Sequence, residues 1–568
     1  MAWKVSVVLL MAFSGIVPPV IAEHPKSDAK PKQVGSGVTG FASEELPAQM
    51  DDLGDYEHRI HTADPLAQRY FNQGLRLVYA FNHDEAIRAF RAAAKIDPQC
   101  IMAQWGIALS LGPNYNLEAE KERSKAAYET LQVARGLLDK ARPEEAAYVE
   151  ALATRYSASP DAERKPLDEA YAAAMRKLAA KYPDDLDAAV LAAESMMNLR
   201  PWTLWSTDGK PAAGTEEIVS RLEAVLLRNP DHPGANHYYI HAVEASPQPE
   251  RALASALRLS GMGPGTGLGF ERPLMPGAGH LIHMPGHIYY RLGWYGAAAD
   301  ANKRAIEVDR KYIEQFKPEG VYAMMYYPHN IHFLWAALAM EGRSAEAITA
   351  ADQVVGALEE SMVREMPMLE YFVPTRLYTL VRFQKWSELA AEKQPAAEFT
   401  FANGMWHYAQ GLACAAQGQS AEEHRRELEK IVSATPADKL LMRQSAKNLL
   451  QIAADELGAK LDALGGNHDQ AVTKLRHSIA LEDGLEYTEP PPWHRSMRAV
   501  LGSTLLEAKR PADAETALRE DLKIYPENGW GLYLLARAVR DQAREAEAAR
   551  IYTRFKRAWG HADFQIGN

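Results

Sequence analysis

The chain has only two cysteines, Cys100 and Cys414, among 568 residues. That excludes a disulfide framework and any cysteine-rich metal site. It also lacks a basic excess, since 63 Lys and Arg stand against 74 Asp and Glu for a formal charge of −11. A nucleic-acid binder needs concentrated positive charge to meet phosphate, and no long segment supplies it. Nucleic acid is therefore not an expected partner. Beyond the first 22 residues no run is long and apolar enough to cross a bilayer, so the mature chain should carry no transmembrane span. Gly-x-Ser-x-Gly and His-Glu-x-x-His are both missing, which leaves serine hydrolases and zinc proteases without support. The glycine-rich stretch 260–279 lacks a Lys-Ser or Lys-Thr end and a preceding strand, so it does not read as a nucleotide loop.

What is present is ample core material, with 47% hydrophobic and 24% charged residues. Residues 1–22 read as a secretory leader. Lys4 is their only charge, Val5 to Ile16 is apolar, and Val20-Ile21-Ala22 offers a cleavage site before Glu23. A membrane anchor is the competing reading, but this run is short for a span and is broken by Pro18-Pro19. Residues 23–64, rich in Lys, Pro, Gly and Ser at their start, read as a flexible lead-in.

Residues 65–110 carry apolar and small residues at helical spacing. A break near Asn82-His83 separates two helices, and Asp97-Pro98 ends the second. Gly74, Ala86, Phe90 and Pro98 supply a close crossing, a small contact, a large knob and a stop. This resembles the tetratricopeptide repeat, a 34-residue helix-turn-helix unit. The resemblance recurs at 291–309, 339–355, 411–431 and 501–555, and more weakly at 117–182 and 438–464. It implies an all-α, right-handed superhelical solenoid of stacked antiparallel helix pairs with a concave groove. The expected layout is N-terminal repeats over 65–195, a central histidine-rich unit over 196–355, C-terminal repeats over 356–560, and a tail over 561–568. Such grooves commonly take peptides or partner proteins, so a non-enzymatic scaffold or adaptor is one reading of the whole chain.

The central unit favours another. Seven of 18 histidines lie between residues 237 and 332. Counting each first helix so that its turn residue is position 15, His237 and His241 fall at positions 5 and 9, with Glu244 at 12. His280, His283 and His287 fall at 2, 5 and 9 of the next helix, and His329 and His332 at 2 and 5 of the third. Positions 2, 5, 9 and 12 face the groove in repeats of this type. Two i, i+4 pairs on neighbouring helices can bring four imidazoles to a shared ion. The expected ligands are His237, His241, His283 and His287, with His332 as a further candidate. His280 and His329 read as outer, substrate-facing or turn-capping residues.

With no thiolate nearby, a nitrogen-rich set suits copper, zinc or iron, and two ions are conceivable. Glu244 reads as a general base or a ligand, and Arg291 as a holder of a substrate anion. The chemistry would be hydrolytic or oxidative, on a small molecule. The competing reading of the cluster is a hydrogen-bonded polar groove that grips a peptide or carboxylate. The insertion 196–214, with Trp202 and Trp205, reads as a lid or wall. His407 and His494 are secondary candidates. The blocks HYYIHAVEASP, HLIHMPGHIYYRLG and YPHNIHF resemble those of exported bacterial repeat proteins. That resemblance and the leader together imply a periplasmic or secreted address, and carry no reaction.

Overall fold

The computed structural model describes residues 46–118, 120–159, 161–261, 272–318 and 322–566. The leader, residues 23–45 of the lead-in, and residues 262–271 of the glycine-rich stretch lie outside the described residues. The chain is an all-α solenoid of antiparallel helix pairs, in which helices pack against the next element and often the next but one. Among the described residues the only strands form a two-residue hairpin at Leu440–Leu441 and Gln444–Ser445. No described helix is long and apolar enough to cross a membrane.

The first pair shows why the chain folds this way. Asp64 caps the helix Pro65–Tyr79 by accepting from the Leu66 N–H, and Pro65 sits in the first turn, where a missing donor costs little. Asn82 caps the helix His83–Ile96 in the same manner. The buried Phe90 ring then wedges between Gly74 of one neighbour and Gly106 of the other. A Cβ on either glycine would stand 2.7 or 2.5 Å from ring atoms. Aromatic bulk on one helix and bare backbone on its neighbours set the crossing.

The turns repeat a second device. Gly293, Gly342 and Gly418 take φ of 77°, 73° and 69°, the left-handed conformation that glycine adopts without strain. The stretches with weak repeat marks are helical too, at Lys121–Arg135, Pro143–Ala153, Arg164–Lys181 and Ala446–Leu464.

Two contacts close the solenoid on itself. At the C-terminal end, Asp563 accepts from the Ser344 and Ala345 backbone N–H groups at 2.6 and 3.0 Å, and Tyr295 donates to the Pro526 carbonyl at 3.0 Å. The last repeats thus fold back on the central ones, and the described part of the tail is docked. At the other end, the described part of the lead-in is fastened rather than free. Leu53 is fully buried, Met50 N–H donates to Gln73 Oε1 at 2.9 Å, and Gly277 N–H donates to the Asp52 carbonyl at 2.7 Å. A segment without helix period can still be ordered when side chains satisfy its backbone.

The strongest fastening is the buried Asp187. His58 Nδ1 lies 2.7 Å from one of its oxygens, and the Tyr56 hydroxyl donates to the other at 2.8 Å. Burial works against the charge on both partners. It is outweighed in His58 by Asp187, which raises the imidazole, and in Asp187 by His58 and His232, which lower the carboxyl. A raised histidine stabilises the fold fully below its ordinary 6.5, and that contribution fades as pH rises through the folded value. A lowered aspartate contributes above its ordinary 3.8 and fades as pH falls. Asp187→Asn should therefore cost about 3 kcal/mol between these limits, as expected when a buried pair loses one partner. The deficit against wild type, followed by denaturant titration across pH, should shrink at both acid and alkaline extremes.

Candidate metal centre

Three successive helices bring the histidines together. The first is Pro233–Val243. The second runs Gly279–His283 and continues through Met284, in helical conformation, into Pro285–Arg291. Pro285 opens this second half, so its absent N–H breaks the ladder between His283 and His287 without turning the chain. The third is Tyr327–Met340. Asp309 ties the second and third helices: it accepts from the Tyr322 hydroxyl at 2.9 Å and the Asn330 amide at 2.7 Å, and Tyr322 in turn accepts from the His280 N–H at 3.0 Å.

Six imidazoles meet as two triads, His237, His241 and His280 in one and His283, His287 and His329 in the other. Within each triad, one ring nitrogen per residue lies within 4.8 Å of the others. Nε2 of His237 is 3.1 Å from that of His280, and Nε2 of His283 is 2.7 Å from that of His287 and 3.2 Å from that of His329. Three nitrogens each 2.0–2.1 Å from one ion would stand about 3.3–3.5 Å apart, so the rings need little adjustment to share one.

The opposite ring nitrogens are held by the protein. His237 Nδ1 meets the Tyr79 carbonyl at 2.6 Å, and His283 Nδ1 meets Asn302 Oδ1 at 2.7 Å. The Asn302 amide donates to the Ala298 carbonyl at 2.8 Å, which turns its oxygen toward His283. Glu244 serves both triads: one oxygen accepts from His241 Nδ1 at 2.8 Å and the other from His287 Nδ1. All four partners are acceptors, so each ring carries its proton on Nδ1 and leaves Nε2 bare. His241 Nε2 is buried with no hydrogen-bond partner, as is His280 Nδ1. His283 and His287, with both Nδ1 atoms held, face each other through bare Nε2 atoms 2.7 Å apart, which need a cation between them, either a proton or a metal ion.

Electrostatics keep most rings neutral, as a ligand must be. Burial, followed by the charges of neighbouring imidazoles, holds His237, His280 and His283 well below the ordinary histidine value and His329 at about 3. Burial lowers His241 too, against the pull of Glu244. His287 is the exception, because the Glu244 carboxylate outweighs its burial and raises it. Glu244 is pushed upward by burial, but His287 and His241 more than reverse this and bring it to about 2.

The centre is enclosed rather than open along a groove. His237, His241, His280, His283 and His287 are at most 2% exposed, and His329 alone is part-exposed. Phe81 covers the first triad, its ring centre 4.5 Å from that of His237 and stacked on His280 at 5.5 Å. It occupies the left-handed turn position that glycine takes elsewhere, with φ of 57°, a strained conformation for a bulky residue. Tyr115 and Trp202 stand 5.1 and 5.7 Å from His241, and Phe333 packs 5.2 and 5.3 Å from His283 and His287. The 196–214 insertion is thus a wall of the centre, with Trp205 donating to the Ala242 carbonyl at 2.8 Å.

Several expected residues find other places. His332 lies outside both triads, stacked on Trp335 at 5.0 Å with Phe372 at 5.1 Å. His280 and His329, expected in outer roles, complete the triads instead, because the second position of one helix faces the fifth and ninth of the helix before. Arg291, read as an anion holder, donates to the carbonyls of Glu244 at 2.6 Å and Ser246 at 3.3 Å and lies over Tyr487, so it fixes the end of the first helix. Each Glu244 oxygen accepts one imidazole N–H, so the carboxylate orients two rings. His407 pairs with His424 at 3.1 Å in a separate, half-buried place, and His494 stacks on Tyr378 at 4.5 Å. Cys100 is buried, which pushes its thiol up to about 11, and Cys414 is free and half-buried.

Sequence reasoning missed Phe81, Tyr115 and Glu489. The last comes from the folded-back C-terminal repeats, where burial pushes its carboxyl up to about 7. A further polar set, His58, Asp185 and Asp187, is also close enough to share an ion. Its members are already saturated by one another and by Tyr56 and Tyr148, which marks it as a structural fastening.

Similarity to known proteins is remote. No family model matches, and no curated protein matches. Solved structures with similarity include the human IFIT1 dimer with m7Gppp-AAAA, at TM-score 0.31 and 12% identity over 88% of this chain and 91% of that one. The APC/C hetero-tetramer Cut9-Hcn1 aligns at TM-score 0.27 and 12% identity over 74% and 81%.

The second helix can be tested at its start. A Cβ on Gly279 would stand 1.9 Å from Asp309 Oδ1, whereas one on Gly356 meets nothing within 4 Å. Gly279→Ala should destabilise by about 1–3 kcal/mol through overpacking. Gly356→Ala should be neutral or slightly stabilising. Thermal melts of the two variants compare them directly.

Proposed function

We propose that this protein is a metal-binding helical solenoid, whose centre is built from His237, His241, His280, His283, His287 and His329. The observation that carries the reading is the arrangement of protons. Tyr79, Asn302 and Glu244 hold four rings by Nδ1, and the freed Nε2 atoms converge in a buried space. Hydrogen bonding of a ligand's far nitrogen to carbonyl or carboxylate is how proteins orient and strengthen imidazole ligands. A peptide-binding groove gains nothing from imidazoles shut away from solvent.

The donor set is nitrogen only, which suits copper, zinc or iron. Glu244 faces the Nδ1 side of the rings, away from the converging nitrogens, so redox chemistry at the ion is a better match than base-assisted hydrolysis. The enclosing aromatic walls limit what reaches it to small molecules. Export to the periplasm or beyond, read from the leader, is part of the same proposal.

Protein purified without an affinity tag should carry a transition metal at one ion per chain or more, measured by elemental analysis. The double variant His241→Ala with His283→Ala should lose it, while His332→Ala should keep it. Glu244→Gln replaces one acceptor with a donor facing an N–H, and should weaken metal binding by about 10–100-fold. Wild-type protein holding far less than one metal per chain after reconstitution would return the chain to the adaptor reading.

A further inference from the structure

The two triads are one constellation written twice. His283 and His287 follow His237 and His241 by 46 residues (237 to 283, 241 to 287), and His329 follows His280 by 49 (280 to 329). Each triad takes an i, i+4 pair from one helix and a single imidazole from the start of the next. An ion that suits one triad therefore suits the other. The two also adjoin: the rings of His241 and His287 are centred 5.7 Å apart, those of His280 and His283 5.9 Å, and Glu244 holds one ring of each. Building on the metal reading above, we propose that the centre holds two copper ions, one per triad, which enter as Cu(I) and bind dioxygen between them.

Charge selects the metal. All six donors bind a metal only as neutral imidazoles. The one carboxylate touching them, Glu244, faces their Nδ1 atoms, on the far side from the converging nitrogens. Two divalent ions would set four positive charges in a buried site where the carboxyls of Glu244 and Glu489 supply at most two negative ones. Their mutual repulsion is fourfold that of two monovalent ions at the same spacing. Zinc on three imidazoles takes a water or anion as its fourth ligand, whereas a three-coordinate Cu(I) needs none in a site shut away from solvent.

Dioxygen keeps the buried charge constant. Each Cu(I) gives up one electron, O2 accepts the two and becomes peroxide, the O–O single bond is retained, and no proton moves. Two Cu(II) ions with one peroxide carry two positive charges in sum, as two Cu(I) ions did. The pair can thus change oxidation state in a buried site without a compensating ion. Phe81, Tyr115 and Phe333 pack against the rings, an apolar surround that favours a neutral ligand over a charged one.

The test begins with the full chain freed of metal by chelation and titrated with Cu(I) under argon against a coloured Cu(I) chelator. Two ions per chain are expected. One is expected in His283→Ala and in the milder His329→Asn, with circular dichroism confirming that each variant is folded. On admission of oxygen, the wild type should hold two Cu(II) with little electron paramagnetic resonance signal, because the coupled spins cancel. A near-ultraviolet peroxide-to-copper absorption should accompany it and vanish when oxygen is removed. The one-ion variants should show an ordinary Cu(II) signal and no such absorption. One ion per wild-type chain, two ions with full signal intensity, or Zn(II) displacing Cu(I) from both sites would each overturn the copper pair. A chain that takes up no metal at all would instead remove the metal reading on which the pair rests.

Discussion

Stacked helices in a solenoid stand about 8–10 Å apart, and an imidazole arm from each side spans that distance to a common point. The rest of the centre depends on this spacing. It lets the fifth and ninth positions of one helix meet the second position of the next, and it does so wherever the repeat recurs. The helix crossing is in turn set by pairs such as Phe90 against Gly74 and Gly106, where a single added methyl group would push the stack apart. Geometry at the histidine cluster is therefore inherited from packing that looks purely structural.

The protein then turns approximate convergence into a defined donor set by controlling protons. A histidine left to itself can place its hydrogen on either nitrogen, and six of them in a dry space could pair in many ways. Backbone and side-chain acceptors remove that choice for four rings, while Arg291 steadies the backbone that carries Glu244. The strained turn at Phe81 belongs to the same account. A left-handed conformation costs a bulky residue about 1–2 kcal/mol, and here it places a ring over His237 and His280.

Much of this was legible in the sequence, and the parts that were not share a cause. The helix pair over 65–110 follows from Gly74, Phe90 and Pro98, and the facing direction of His237, His241, His283 and His287 follows from register. The i, i+4 pairs drew attention because both members lie on one helix. His280 and His329 contribute across a helix gap, so their role shows only when neighbouring helices are placed side by side. The cover by Phe81 and Tyr115, and the approach of Glu489, depend on how tightly the superhelix winds. That winding accumulates from small rotations at every repeat, and no local pattern of residues records it. The same cause hides the partners of Arg291, the Glu244 and Ser246 carbonyls at the end of a neighbouring helix.

The register of the triads extends past the residues that form them. Counting back from the left-handed turn residue Gln384 puts Tyr371 at the second position, here in the 3-10 turn Pro367–Phe372 ahead of the helix Thr375–Arg382. His332 at a fifth position, Ala336 at a ninth and Tyr371 at a second would be the next constellation in the series, and the rings of His332 and Tyr371 already stand 6.4 Å apart. Ala336 and Tyr371, together with the 3-10 turn that carries Tyr371, end the row. A solenoid of this kind is a ruler on which ion sites could be ruled at a regular pitch, and the length of such a row would be set by substitutions at single positions rather than by a new fold.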